Sequence, residues 1–208
     1  MTSGTAVRRQ AERQEMLDEL RGGRLATARR RHRISLAAWG AALVVVVTLV
    51  VAALLASRPV ESSDARVAPD FTLPTSDGRT VTLSELQGSP VVLYFNEGAG
   101  CDSCLMQMAE IEKDPAFAEA GITVLPIVMN TAEQINAERT RLGVASDFLL
   151  DDGTVSEQYG TLGTGMHPGL PGHGFVLVDA EGVQQWYGSY PSMWLAPQDL
   201  LDEVQSRL

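Results

Sequence analysis

Val91-Val92-Leu93-Tyr94-Phe95-Asn96-Glu97-Gly98-Ala99-Gly100-Cys101-Asp102-Ser103-Cys104 is the stretch on which the reading of the chain turns. Its apolar, β-branched start has the composition of a buried strand. A glycine-rich loop follows, then a Cys-x-x-Cys pair, and Leu105 to Lys113 continues at helical spacing. A helix start offers free backbone N–H groups and a partial positive charge, and both favour a thiolate over a thiol. Two cysteines three positions apart at such a place can also close on each other, so the pair can cycle between dithiol and disulfide. They are the only cysteines in the 208 residues, so all cysteine chemistry lies here.

Upstream, charge is unevenly spread. Nine Arg against four acidic residues precede Ile34, whereas seven Lys/Arg against 22 Asp/Glu follow Ala56. The acidic half argues against nucleic acid as a partner, because phosphates would be repelled. Between the halves, residues 34–56 carry no charge and are dense in Val, Leu and Ala. As a helix this run spans about 34 Å, enough for a bilayer core. The cluster Arg29-Arg30-Arg31-His32-Arg33 sits just before it and Trp39 lies in its first turns. The positive-inside rule then places residues 1–33 in the cytoplasm, as an Arg-rich tail, and the remainder outside the cell membrane on a single-pass anchor. A cleaved signal peptide is the rival reading, but its apolar region is usually about 7–15 residues, and Ser57-Arg58-Pro59 offers no good cleavage site. Outside the cytoplasm a lone dithiol pair is either a structural staple or a redox centre. A staple closing so short a loop would remove little unfolded-state entropy.

Residues 57–67 are polar with one proline and read as a linker, with the folded domain at 68–208. Ser76-Asp77-Gly78-Arg79 between two short apolar runs predicts a hairpin. Ser84 is expected to cap a short turn. Ile122 to Met129 reads as a second buried strand, and Thr131-Ala132-Glu133-Gln134 as a capping box opening a helix to Leu142. Phe148 to Leu150 and Thr154 to Tyr159 suggest a short strand and a short helix. Phe175 to Asp179 and Val183 to Tyr187 predict a second hairpin, and Pro197 opens the last helix. The order is that of an α/β sandwich with a mixed central sheet, preceded by one transmembrane helix.

With the dithiol placed on this order, the domain resembles the thioredoxin superfamily, most closely its redoxin branch: the alkyl hydroperoxide reductase / thiol-specific antioxidant (AhpC/TSA) family and the membrane-tethered thiol–disulfide oxidoreductases. The resemblance rests on Ala68-Pro69-Asp70-Phe71-Thr72-Leu73, Asp77-Gly78, Thr82-Leu83-Ser84, the strand Val91 to Phe95, Cys101 with Cys104, and Phe175 to Asp179 with Gly182. It implies a thioredoxin-like sandwich that needs no cofactor and exchanges dithiol for disulfide with a protein partner. Cys101, at the exposed edge of the loop, is then the attacking thiol and Cys104 the resolving one. Peroxidase members carry Pro-x-x-x-Thr-x-x-Cys; in that register Cys104 would attack peroxide and Cys101 resolve it. Glu97 and Cys101 stand where the motif has proline and threonine. Peroxidases also place an arginine, and the reductase branch a cis-proline facing the dithiol, where this chain has His173, with Pro171 two residues earlier.

Glu97 and Asp102 beside the pair are expected to oppose thiolate formation and so to make a reducing centre. His167 and His173 lie in a long Gly/Pro-rich loop and are either solvated or turned towards the dithiol. A different class of function resembles the thioredoxin-like copper chaperones, with Cys101, Cys104, His167 and His173 as soft-metal or zinc ligands. Trp186, Tyr187, Tyr190 and Trp194 form a late aromatic cluster, for packing or for partner docking.

Overall fold

A computed structural model describes residues 35–208, together with the isolated positions 13, 16 and 32. The rest of the expected cytoplasmic tail lies outside the described residues. The chain divides into two units, Met1–Leu55 and Ala56–Leu208.

In the first unit the helix Ser35–Ala56 (α1) has a mean hydropathy of 2.6 over its most apolar window, and none of that window is buried. It is the one helix among the described residues long and apolar enough to cross a membrane. Its single mid-run hydroxyl, Thr48, donates to the Val44 carbonyl at 2.8 Å, so it leaves no bare polar group on the surface.

The second unit is built on a mixed sheet. Its strands are β1 (Val60–Ser62), β2 (Arg66–Val67), β5 (Val91–Phe95), β6 (Thr123–Val128), β7 (Leu149–Leu150), β8 (Gly174–Val178) and β9 (Val183–Ser189). The spatial order is β1-β9-β8-β5-β6-β7, with β2 also on β9. β5 runs parallel to β6 and antiparallel to β8, and β6 runs parallel to β7. The hairpin β3 (Thr72–Pro74) and β4 (Thr80–Thr82) stands apart as its own two-stranded sheet. The helices are α2 (Asp102–Lys113), α3 (Pro115–Glu119), α4 (Ala132–Leu142), α5 (Thr154–Gln158) and α6 (Pro197–Gln205).

β5 is the hub because both its faces are buried. Successive side chains point to opposite faces. Val92 and Tyr94 join a core with Cys104, Leu105, Met108, Phe175, Trp186 and Leu200. Val91, Leu93 and Phe95 join the other, with Phe71, Leu73, Ile127, Val155 and Val176. A continuous apolar run is the pattern such a doubly covered strand requires. At α4 the expected capping box forms on both sides, Thr131 with Gln134, and Gly143 closes the helix at φ 70°.

Two expectations are corrected. The segment read as a linker carries two short strands: β1 and β2, five of its eleven residues, pair antiparallel with β9, from Val60 opposite Ser189 to Val67 opposite Val183. Residues this polar have little intrinsic drive to form strand; the unpaired edge of β9 supplies it. Ser84 does not cap a helix. The 3-10 turn Leu83–Leu86 begins after Thr82, and Ser84 instead donates its N–H and its hydroxyl to the Asp70 carboxylate at 2.9 and 2.8 Å.

Candidate active site

β5 delivers its C-terminal end to the loop Asn96–Gly100, and that loop is folded by its own polar groups. Asn96, fully buried, donates to the Tyr94 carbonyl at 3.3 Å and accepts the Gly98 N–H at 3.0 Å. Asn130, beyond β6, accepts the Ala99 N–H at 2.9 Å. Gly98 has φ 70°, and a Cβ there would displace the Asn130 side-chain oxygen from the Ala99 N–H, so the position favours glycine. The Cys101 N–H then reaches back to the Gly98 carbonyl at 3.0 Å, closing the turn that starts α2.

Cys101 is the N-cap residue of α2, and its sulfur is joined to Cys104 in a disulfide with 5.3 Å between the α-carbons. The two cysteines are not equivalent. Cys104 is completely buried, whereas Cys101 is half-buried at the rim. The Cys104 N–H is shared between the Cys101 carbonyl at 3.1 Å and Cys101 Sγ at 3.3 Å. In the reduced state that donor and the helix start favour charge on Cys101.

The carboxylates expected to oppose a thiolate are both engaged. Asp102 is ion-paired with Arg141 from the last turn of α4. Hydrogen bonding from that guanidinium holds the Asp102 carboxyl below the usual range. Glu97, only 4% exposed, is turned to the Gly/Pro-rich loop instead. Its Oε1 accepts the N–H groups of Met166 and His167 at 2.9 and 3.3 Å, and its Oε2 meets His167 Nδ1 at 2.7 Å. The charge argument for a reducing centre is correspondingly weakened.

The two histidines part company. His167 is mostly exposed, on the Glu97 latch. His173 is buried immediately before β8, 3.1 Å through Nδ1 from the Tyr94 hydroxyl, and burial pushes its pKa down to about 4. Tyr94 also donates to the Cys104 carbonyl at 3.0 Å, which ties His173 to the dithiol. Burial raises the Tyr94 phenol well above its usual range. Pro171 is buried and bridged to Leu162, and every peptide bond among the described residues is trans. Among the described residues no three His, Cys, Asp or Glu side chains are grouped as metal ligands are. Of the late aromatics, Trp186 and Tyr190 are buried in the α2 core with rings 6.5 Å apart, and Trp194 is exposed.

Sequence reasoning missed Tyr94, Arg141 and Asn130. A phenol in an otherwise wholly apolar buried run was a usable sign, since a buried Tyr hydroxyl usually finds a partner. Arg141 and Asn130 reach the site from α4 and from the end of β6, and no local pattern announces such contacts.

A profile of the AhpC/TSA family matches residues 65–186. The chain is 32% identical over 134 residues to peroxiredoxin Bcp of Escherichia coli strain K12, covering 60% of this chain and 83% of that one. It is 30% identical over 125 residues to chloroplastic peroxiredoxin Q of Triticum aestivum, covering 60% of this chain. The match spans 58% of the length of that relative. Among solved structures, a Bacteroides thetaiotaomicron protein that carries only a provisional disulfide-isomerase assignment is similar at a TM-score of 0.53 and 27% identity, covering 68% of this chain and 85% of that one.

Proposed function

The chain belongs to the AhpC/TSA family, and from that premise we propose that it is a membrane-anchored thiol–disulfide oxidoreductase whose domain works outside the cytoplasm. The observation that carries this reading is the asymmetry of the Cys101–Cys104 disulfide at the start of α2. One sulfur is at the rim and the other is wholly enclosed. In the reduced protein the Cys101 thiolate attacks a partner disulfide. A mixed disulfide forms and one partner thiolate leaves. Cys104, as thiolate, then attacks Cys101 Sγ, the Cys101–Cys104 disulfide forms, and the second partner thiolate leaves. Two electrons pass to the partner, and the reverse sequence oxidises a partner dithiol.

A peroxidase reading is second. The names of the relatives favour it, and Cys104 falls at the family's peroxide-attacking position. Against it, Glu97 and Cys101 replace the proline and threonine of that motif, the Glu97 carboxylate is committed to Met166 and His167, and Cys104 has no exposed surface. The charge asymmetry flanking α1 supports an uncleaved anchor with the domain outside.

Single serine variants separate the readings. Cys104→Ser is expected to accumulate a mixed disulfide between Cys101 and a protein partner. Sulfenic acid at Cys104 in a Cys101→Ser variant, with peroxide turnover by the wild type, would overturn disulfide exchange in favour of the peroxidase.

A further inference from the structure

The exchange sequence gives no task to Tyr94 and His173, yet both are bonded into the site. The Tyr94 hydroxyl lies 3.0 Å from the Cys104 carbonyl oxygen and 3.1 Å from His173 Nδ1. A carbonyl only accepts, so the phenol hydrogen goes to Cys104. The phenol oxygen must then receive from the ring, which assigns the imidazole proton to Nδ1 and leaves Nε2 a bare lone pair. The opposite arrangement makes one of these bonds rather than two and strands an N–H at Nε2, which is buried without a partner. Ring contacts hold the pair in place. His173 stands edge-on to Tyr94 at 5.0 Å and to Phe175 at 5.7 Å, and Tyr94 stacks on Phe175 at 4.7 Å. The His173 carbonyl accepts the Tyr190 N–H at 2.8 Å, fixing the backbone from which the ring projects.

We propose that His173 is a positioning residue: through Tyr94 it holds the first turn of α2 so that the Cys104 N–H stays on Cys101 Sγ, and so sets how readily Cys101 ionises. This rests on Cys101 being the attacking thiol. Cys104 links the two ends, with its carbonyl held by Tyr94 and its N–H shared between the Cys101 carbonyl at 3.1 Å and Cys101 Sγ at 3.3 Å, a balance that the position of the first turn decides. Without the tie, that long N–H···S contact slackens, the charged sulfur loses a donor, and the thiol pKa rises. His173 itself makes and breaks no bond.

The test uses the full-length chain in detergent, in a Cys104→Ser background. Cys101 is then the sole thiol, and residue 104 keeps its backbone N–H and carbonyl. The pH dependence of iodoacetamide alkylation reads the Cys101 pKa. Adding Tyr94→Phe or His173→Phe is expected to move the profile up by about one pH unit, seen as roughly tenfold slower alkylation on its acidic limb. His173→Asn, whose amide N–H can donate to Tyr94 Oη, is expected to stay within about threefold of the parent. Tyr94→Phe removes one oxygen and keeps the test readable if His173→Phe does not fold. The proposal is overturned if Tyr94→Phe leaves the profile at the parent position, whatever it does to the melting temperature. It is equally overturned if His173→Asn shifts the profile as far as His173→Phe. Failure of Cys104→Ser to capture a partner would count against disulfide exchange, and it is a separate measurement that leaves this profile interpretable.

Discussion

Glu97 Oε2 and His167 Nδ1 lie 2.7 Å apart, although 70 residues separate them in the chain. A buried carboxylate just before the dithiol thus holds the outer loop by one ring and two backbone N–H groups. Gly165 fits under that contact only because it lacks a side chain; a Cβ there would sit 2.6 Å from Glu97 Oε1 and 2.9 Å from Gly172 Cα.

Glu97→Ala is therefore expected to cost about 1–3 kcal/mol of domain stability in denaturant unfolding and to make residues 163–170 the first site of proteolytic nicking. His167→Ala removes only the exposed partner, and its cost is expected to stay below about 1 kcal/mol.

The pH response follows from His173. Its pKa falls from an ordinary 6.5 to about 4 in the fold, so the unfolded chain binds a proton between these values that the folded chain refuses. Stability from this group is complete above about pH 6.5 and is lost as pH falls towards 4, by on the order of 3 kcal/mol. Asp70 and Asp102, held below the usual carboxylate value, contribute at lower pH. Denaturant melts at pH 4, 5 and 7 should show the decline in the wild type, and a much flatter profile in His173→Phe.

Arg141 neutralises the acid next to Cys101. Arg141→Ala is expected to raise the Cys101 pKa in the alkylation assay, because Asp102 is left unpaired beside the sulfur. Adding Asp102→Asn should restore it. A shift that persists in the double variant would place the effect in the backbone of α4 instead.

The strands before Ala68 protect an edge. A soluble fragment beginning at Ala68 lacks β1 and β2 and exposes the outer side of β9. It is expected to self-associate in size-exclusion chromatography, whereas a fragment beginning at Ser57 elutes as a monomer. Glu61→Ala is a milder probe: it removes the acceptor of the Tyr190 hydroxyl at 3.2 Å and should cost about 1 kcal/mol.

These edge strands also mark the limit of what the sequence makes legible. β5, the dithiol turn, the Asp77-Gly78 hairpin and the α4 capping box are written locally, in periodicity and in turn residues, and they form where the residues imply. Val60–Ser62 and Arg66–Val67 carry no such pattern; they are strands because β9 has an open side. The same division runs through the site. Cys101 and Cys104 identify themselves by spacing. The Glu97 latch, the Arg141 ion pair and the Tyr94–His173 chain exist only after distant segments meet, and charge or spacing along the chain gives no register for them.

The enclosure of Cys104 has a kinetic consequence. In the exchange proposed above, a partner disulfide attacked by Cys101 is bonded to this domain through one sulfur alone, so the partner arrives and departs at the same atom. Where the partner is being reduced, its departure is driven by Cys104, three residues away and at a fixed local concentration. When the domain reduces its partner, the lifetime of the bound state is then first-order and indifferent to how crowded the surroundings are with partners, while its formation remains second-order; when the domain oxidises a partner dithiol, release is set by the partner's own second thiol.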